Sequence, residues 1–119
     1  MTYTILHAKL HHLRVTQADI EYLGSLTVDE DLLDAVGMLP NERVLVADLD
    51  TGKRLETYVI PGVRGSRIAC LNGAAAYIGN VGDRLIVMAF CEATAEEAKA
   101  LRPKVVRLDE TNRIVAKAY

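Results

Sequence analysis

Short strand-like runs alternate with turn signals along the whole chain, and that punctuation decides what it can fold into. Residues 43–49 and 53–60 flank Asp50-Thr51-Gly52, a hairpin signal. Residues 67–71 lead into the turn pair Asn72-Gly73, and residues 84–90 follow Val81-Gly82-Asp83. Residues 104–108 and 113–118 flank a polar turn at 109–112. Residues 3–15 read as one long strand, and Leu26-Thr27-Val28 as a short one. The near-continuous apolar run of 84–90 predicts a strand buried on both faces. Pro61-Gly62 is expected to end the strand before it, and residues 16–20 carry no clear pattern. Seven or eight strands at even spacing predict a mainly β fold, a small barrel.

Two short helices punctuate the strands. Asp29 is a helix N-cap, with Glu30 and Asp31 in the first turn, Leu32, Leu33 and Val36 on the apolar side, and Gly37 as the stop. Thr94 and Glu97 have capping-box spacing for a helix ending near Leu101, closed by Pro103. Residues 74–77 form at most one helical turn.

The 119 residues make one domain, 1–119. Half are apolar, yet there is no tryptophan and Phe90 is the single phenylalanine. The core must come from Val, Leu, Ile and Ala, and small cores of that kind are often completed by association. A net charge of −2 with no basic stripe excludes a nucleic-acid binder. No apolar run reaches bilayer length and the start has no signal-peptide pattern, so no membrane partner is expected and the location is cytoplasmic. Cys70 and Cys91 have no metal-ligand spacing and read as reduced thiols in strands. His7, His11 and His12 lie close in sequence, but on a strand and without a nearby carboxylate or cysteine, so no metal is expected.

The odd positions from Tyr3 to Val15 should share one face, which puts Lys9 and His11 side by side. Arg54, Glu56, Tyr58 and Ile60 share a face, with Thr57 on the other. Gly24-Ser25, between Leu23 and Leu26, is a turn by default and a nucleophile by option. There is no Gly-x-Ser-x-Gly elbow, phosphate loop or dinucleotide fingerprint. Ser25, Lys9, Arg54, Thr57 and Tyr58 together suggest a small acidic ligand held by Arg54, with proton transfer by Tyr58. Each also has a plain structural use: edge lysine, hairpin arginine, strand threonine, space-filling tyrosine.

The chain resembles the bacterial aspartate 1-decarboxylase family, pyruvoyl-dependent enzymes that make β-alanine for pantothenate and coenzyme A. The residues that carry the likeness run in order along nearly the whole chain. They are Lys9-Leu10-His11, Val15-Thr16, Ala18-Asp19, Tyr22, Gly24-Ser25, the helix from Asp31 to Gly37, Asn41-Glu42 and Gly52-Lys53-Arg54 leading to Thr57-Tyr58. Arg64-Gly65-Ser66, Asn72-Gly73 with Ala74, Ala75 and Ala76, and Val81-Gly82-Asp83 complete them. Tyr77, Ala47 and Leu26 depart from the family pattern.

The resemblance implies a double-psi β-barrel with short helices and a homotetramer with active sites between subunits. It implies a proenzyme cut by itself between Gly24 and Ser25 into a β chain (1–24) and an α chain (25–119). Ser25 becomes a covalently bound pyruvoyl group, and Thr57 polarises the Gly24 carbonyl during processing. L-Aspartate then condenses with that group as a Schiff base, loses CO₂, takes a proton from Tyr58 and leaves as β-alanine. Arg54 holds a substrate carboxylate. Lys9, Thr57 and the backbone of Gly73, Ala74 and Ala75 complete the binding site, and His11, Tyr22 and Asn72 are further pocket residues. No metal takes part. The alternatives are a pyruvoyl decarboxylase of another acidic amino acid, such as glutamate, or a non-catalytic double-psi barrel that acts as an interaction module.

Overall fold

The computed structural model describes residues 1–118. In chain order its elements are β1 (Thr2–Arg14), β2 (Gln17–Asp19), β3 (Leu26–Asp29), α1 (Glu30–Val36), β4 (Arg43–Asp48) and β5 (Arg54–Gly62). Then come β6 (Ala69–Asn72), a 3-10 turn (Gly73–Tyr77), β7 (Arg84–Thr94), α2 (Ala95–Ala100), β8 (Lys104–Leu108) and β9 (Ile114–Ala118).

The strands lie in the order β2-β6-β3-β5-β4-β7-β1-β8-β9. β1 and β2 are one continuous path, joined by Val15 and Thr16. Val15 N–H donates to Asp83 (2.9 Å), extending the β1–β7 ladder, and Thr16 N–H donates to Ala69 (2.8 Å), starting the β2–β6 ladder. The path therefore leaves one end of the order and enters the other, and the sheet closes. β1/β2, β6, β3, β5, β4 and β7 form the barrel wall, and the β8–β9 hairpin extends from the free edge of β1. Parallel pairs (β1–β8, β2–β6, β3–β5) sit among antiparallel ones. A mainly β barrel with short helices is as expected, and the crossing parallel pairs accord with a double-psi arrangement.

The inside is aliphatic. Leu10, Leu13, Leu26, Val28, Val46, Val59, Leu71, Leu85, Val87 and Val106 are fully buried, with Leu33 and Val36 of α1 packed against them. The α1 signals behave as read: Asp29 Oδ1 accepts from Asp31 N–H, and Gly37 takes the left-handed conformation, φ +74°. Buried Asp29 also accepts from the backbone of Gly65 and Arg67, which pins the 63–67 loop to the start of the helix. Both halves of the Thr94–Glu97 capping box are present on α2.

Four expectations change. The odd positions of β1 do not keep one face, because bulges fall between Leu6 and Ala8 and between His11 and Leu13, the second at His12 with φ +66°. Lys9 and His11 stay together facing out, while Leu13 and Val15 turn into the core. Residues 17–19, without pattern in the sequence, form β2 because β6 supplies a partner. β5 runs through Pro61 to Gly62, paired with Val28 and Asp29. Val59 N–H points toward the β4 side, to Glu42, so by alternation Pro61 puts its missing N–H on that same side, past the end of β4. β7 is longer than expected and is not buried on both faces: Leu85, Val87 and Ala89 are fully buried, Ile86 and Met88 half-buried, and Phe90 40% exposed.

One buried polar site sits where β4 meets the turn before β7. Asp48 is 1% exposed. Its Oδ1 accepts from the N–H groups of Asp50 (2.8 Å) and Thr51 (3.0 Å), while its Oδ2 is buried with no donor. Carboxylate oxygens of Asp48, Asp50 and Asp83 lie within 4.8 Å of one another. Asp50 is committed to Arg84 at 2.7 Å, which leaves Asp48 facing Asp83. Burial, and then the Asp83 carboxylate beside it, push the Asp48 pKa upward. In its protonated form Asp48 could donate to Asp83. The folded-state pKa lies above the unfolded one, so this contribution to stability is complete below the ordinary aspartate value and is lost as pH rises through the raised value. Asp48→Asn places an N–H donor at the same point. It should remove that pH dependence in urea titrations from pH 4 to 8 and, at neutral pH, raise stability by about 1 kcal/mol; an unchanged profile would show that no proton is held there.

Candidate active site

Ser25 stands at the mouth of β3, where the chain leaves the bend after β2. Its carbonyl accepts from Asn72 N–H at 2.9 Å, which ties it to the end of β6. Its hydroxyl has no hydrogen-bond partner among the described residues and is free to turn. Gly24 has φ +95°, and a Cβ there would fall 2.6 Å from Ile60 Cδ1. The positive φ favours glycine at the bend, and a side chain there would also have to displace the end of Ile60. Gly73 has φ +59°, and its Cα faces the Tyr22 carbonyl: a Cβ would sit 3.5 Å from that oxygen. Ala75 is buried, Ala74 is exposed, and the Tyr22 side chain is mostly exposed.

The parallel β3–β5 register pairs Leu26 with Val59. One step back it brings Ser25 level with Tyr58, while the bend carries Gly24 over the Ile60 side chain. Tyr58 faces out, and half-buried Thr57 lies on the opposite side of β5. Asn72 is buried; its Nδ2 donates to Thr27 Oγ1 at 3.2 Å, and its Oδ1 is buried without a partner. Tyr22, Thr27 and Asn72, with Gln17, Ile68 and Cys70, line a cavity of about 180 Å³. That is room for a small molecule.

A second group lies on the outer face of the wall. Registers across β5, β4, β7, β1 and β8 align Arg54, Ala47, Ile86, His11 and Arg107 in one row. The next row is Glu56, Leu45, Met88, Lys9 and Val105. Arg54 and His11 are three strand steps apart, roughly 14 Å. Lys9, His11, Val105 and Arg107 line a groove of about 320 Å³ with Ala116 to Ala118 of β9. Arg43, Arg64 and Arg84 are matched by carboxylates of Glu56, of Glu30, Asp31 and Asp34, and of Asp50. Lys9, Arg54 and Arg107 have no such partner among the described residues. The His11 ring stacks on His12 with centroids 4.1 Å apart, and its Nδ1 is buried and unpartnered. Burial first, then the charges of His12, Lys9 and Arg107, lower its pKa, so the imidazole is neutral at neutral pH. His7 Nε2 pairs instead with Glu42 at 2.6 Å.

The predicted residues thus fall into two sets within one chain. Gly24, Ser25, Asn72, Gly73 and Tyr22 meet around the β3 mouth, with Tyr58 one step before the β3–β5 ladder and Thr57 on the opposite face of β5. Lys9 and His11 stand on the far side of the outer face, and Arg54 lies on that face four residues before Tyr58. Sequence reading missed Thr27, Ile60 and Arg107. Only Arg107 had a usable signal: Val106 and Leu108 are the apolar positions of that strand, which turns residue 107 outward.

The fold and the site define a class of protein: a small closed β barrel with a glycine–serine bend at its rim and unmatched cations on its outer face. The model of the aspartate decarboxylase family matches residues 1–115. Aspartate 1-decarboxylase of Bacillus licheniformis is 54% identical over 111 residues, covering 93% of this chain and 87% of that protein. The protein of that name in Salinibacter ruber is 54% identical over 94% of this chain and 77% of its own length, and that in Exiguobacterium sibiricum 54% identical over 96% and 90%. Among solved structures, the rationally designed mkDPBB_sym2 protein aligns with TM-score 0.49 and 19% identity over 73% of this chain and 96% of that chain. The chain belongs to the aspartate decarboxylase family.

Gly24→Ala tests the bend. It should destabilise the chain by about 1–2 kcal/mol, through the positive φ and the clash with Ile60. Ile60→Val removes the clashing methyl, so the double variant should recover the steric part in a urea double-mutant cycle. Strict additivity of the two changes would place Ile60 away from Gly24.

Proposed function

We propose that this chain is a pyruvoyl-dependent aspartate 1-decarboxylase, converting L-aspartate to β-alanine and CO₂ for pantothenate and coenzyme A synthesis, and that it matures by cutting itself between Gly24 and Ser25. The observation that carries this reading is the Gly24–Ser25 bend: a positive-φ glycine packed on Ile60, followed by a serine whose hydroxyl is untethered and whose carbonyl is held by Asn72. A glycine that lets the backbone turn tightly beside an untethered hydroxyl is what an intramolecular attack needs. The Ser25 hydroxyl adds to the Gly24 carbonyl, which Thr57 polarises, and the adduct collapses with the peptide C–N bond broken, leaving an ester and a free Ser25 amine. Loss of the Ser25 α-proton then eliminates Gly24 as a carboxylate and leaves dehydroalanine, and hydrolysis of that group with loss of ammonia leaves a pyruvoyl group at residue 25.

The surroundings fit such a group. Asn72 presents a buried, unpartnered Oδ1 and a backbone N–H beside residue 25, and a cavity of about 180 Å³ opens next to them. The pyruvoyl group supplies a ketone that takes up the electrons released when a carboxylate leaves as CO₂. Tyr58, level with residue 25, gives the proton that replaces the lost carboxylate. Arg54 holds the remaining carboxylate through two parallel hydrogen bonds, and Lys9 adds a point charge. The backbone of Gly73 to Ala75 and the Asn72 amide border the substrate, with His11 and Tyr22 farther out.

Lys9 and His11 lie on a different stretch of wall from Ser25 in the same chain. A homotetramer with active sites between subunits accounts for that separation, and the half-exposed Ile86, Met88 and Phe90 supply apolar surface for such contacts. No helix among the described residues is long and apolar enough to cross a membrane.

Intact mass after incubation tests the reading. The wild-type chain should yield fragments 1–24 and 25–119, the second with a carbonyl that reacts with hydroxylamine, and should release CO₂ from aspartate faster than from glutamate. Ser25→Ala should stay whole and inactive. Tyr58→Phe should cleave normally and turn over about 10²–10⁴-fold more slowly. A wild-type chain that stays whole and carries no reactive carbonyl would overturn the proposal.

A further inference from the structure

We propose that Arg107 is a further positioning residue of this site: with Lys9 it forms a two-cation cradle, in the groove between β1 and the β8–β9 hairpin, for a carboxylate of a small dicarboxylate ligand. The inference rests on the decarboxylase reading for the identity of that ligand and on the groove alone for its charge.

The placement follows from strand geometry. β8 runs parallel to β1, with Arg107 level with His11 and Val105 level with Lys9. β9 continues the two rows with Ala116 and Ala118. Val106 and Leu108 are buried in the core, so alternation fixes Arg107 on the outer face. A guanidinium and an ammonium therefore flank an imidazole over a low floor of valine and alanine, around a space of about 320 Å³. Among the described residues no acidic side chain lines the groove, and Lys117 stands at its β9 edge as a further basic residue. Arg43, Arg64 and Arg84 pair with carboxylates, and Lys9 and Arg107 have no carboxylate partner among the described residues. His11 feels both charges. Two cations one strand apart repel in the free protein, and an anion placed between them removes that repulsion and gains charge-assisted hydrogen bonds. The planar fork of arginine adds orientation that lysine lacks.

The test uses the full-length protein in two forms. In Ser25→Ala, succinate, a dicarboxylate without an amine, is titrated while the His11 ring signals are followed by NMR. A saturable shift is expected; adding Arg107→Met should weaken binding about tenfold, and Arg107→Lys should restore part of it. In the chain with Ser25 intact, Arg107→Met should cleave normally by mass and raise KM for L-aspartate about tenfold while lowering kcat much less. Failure of cleavage and CO₂ release in wild type would sink the decarboxylase reading and leave the succinate titration to judge the groove. Succinate affinity and KM that do not respond to Arg107→Met, in a protein that cleaves and turns over, would overturn the role of Arg107 alone.

Discussion

Val15 and Thr16 hold the barrel shut. Thr16 bonds Ala69 three times, from its N–H (2.8 Å) and hydroxyl (3.2 Å) to the carbonyl and back from Ala69 N–H to Oγ1 (3.0 Å). Val15 exchanges bonds with Gly82 and Asp83. At these two residues the first strand trades β7 for β6. Because β6 is drawn in here, its far end reaches β3, and Asn72 meets the Ser25 carbonyl. The position of the bend thus leans on a handover one strand away that contains none of the candidate reactive residues.

Closure also sorts the two faces. Inside, aliphatic side chains interdigitate in rows such as Val46, Val87, Leu10 and Val106. Outside, the neighbouring rows mix cations with half-covered apolar residues.

Much of this was legible in the chain. The hairpin at 50–52, the caps at Asp29 and Thr94 and the final hairpin depend on local backbone chemistry, which residue types encode directly. The likeness to the aspartate decarboxylase family pointed to Gly24, Ser25, Asn72 and Tyr58, of which the structure bonds Asn72 to the Ser25 carbonyl. What was hidden depends on distant partners. β2 exists only because β6 is beside it. The bulge at His12 reverses which side Leu13 faces, and nothing in the residue type announces it. Pro61 reads as a strand breaker until one sees that β4 has already ended on the side where its N–H is missing. Arg107 gained its setting from a parallel register that spans most of the chain.

The grip on β1 has a consequence of its own. That strand is held along one edge by β7 and along part of the other by β8, and its continuation is stitched to β6. A break after Gly24 would leave a 24-residue fragment woven through the wall rather than hanging from it. The cut chain would then be a heterodimer in all but origin. Its unfolding would release two molecules, its refolding would require them to meet, and its apparent stability would depend on concentration, where that of the uncut barrel does not. Folding would be a single-use template for the nicked form: easy to reach once as one chain, and hard to reach again as two.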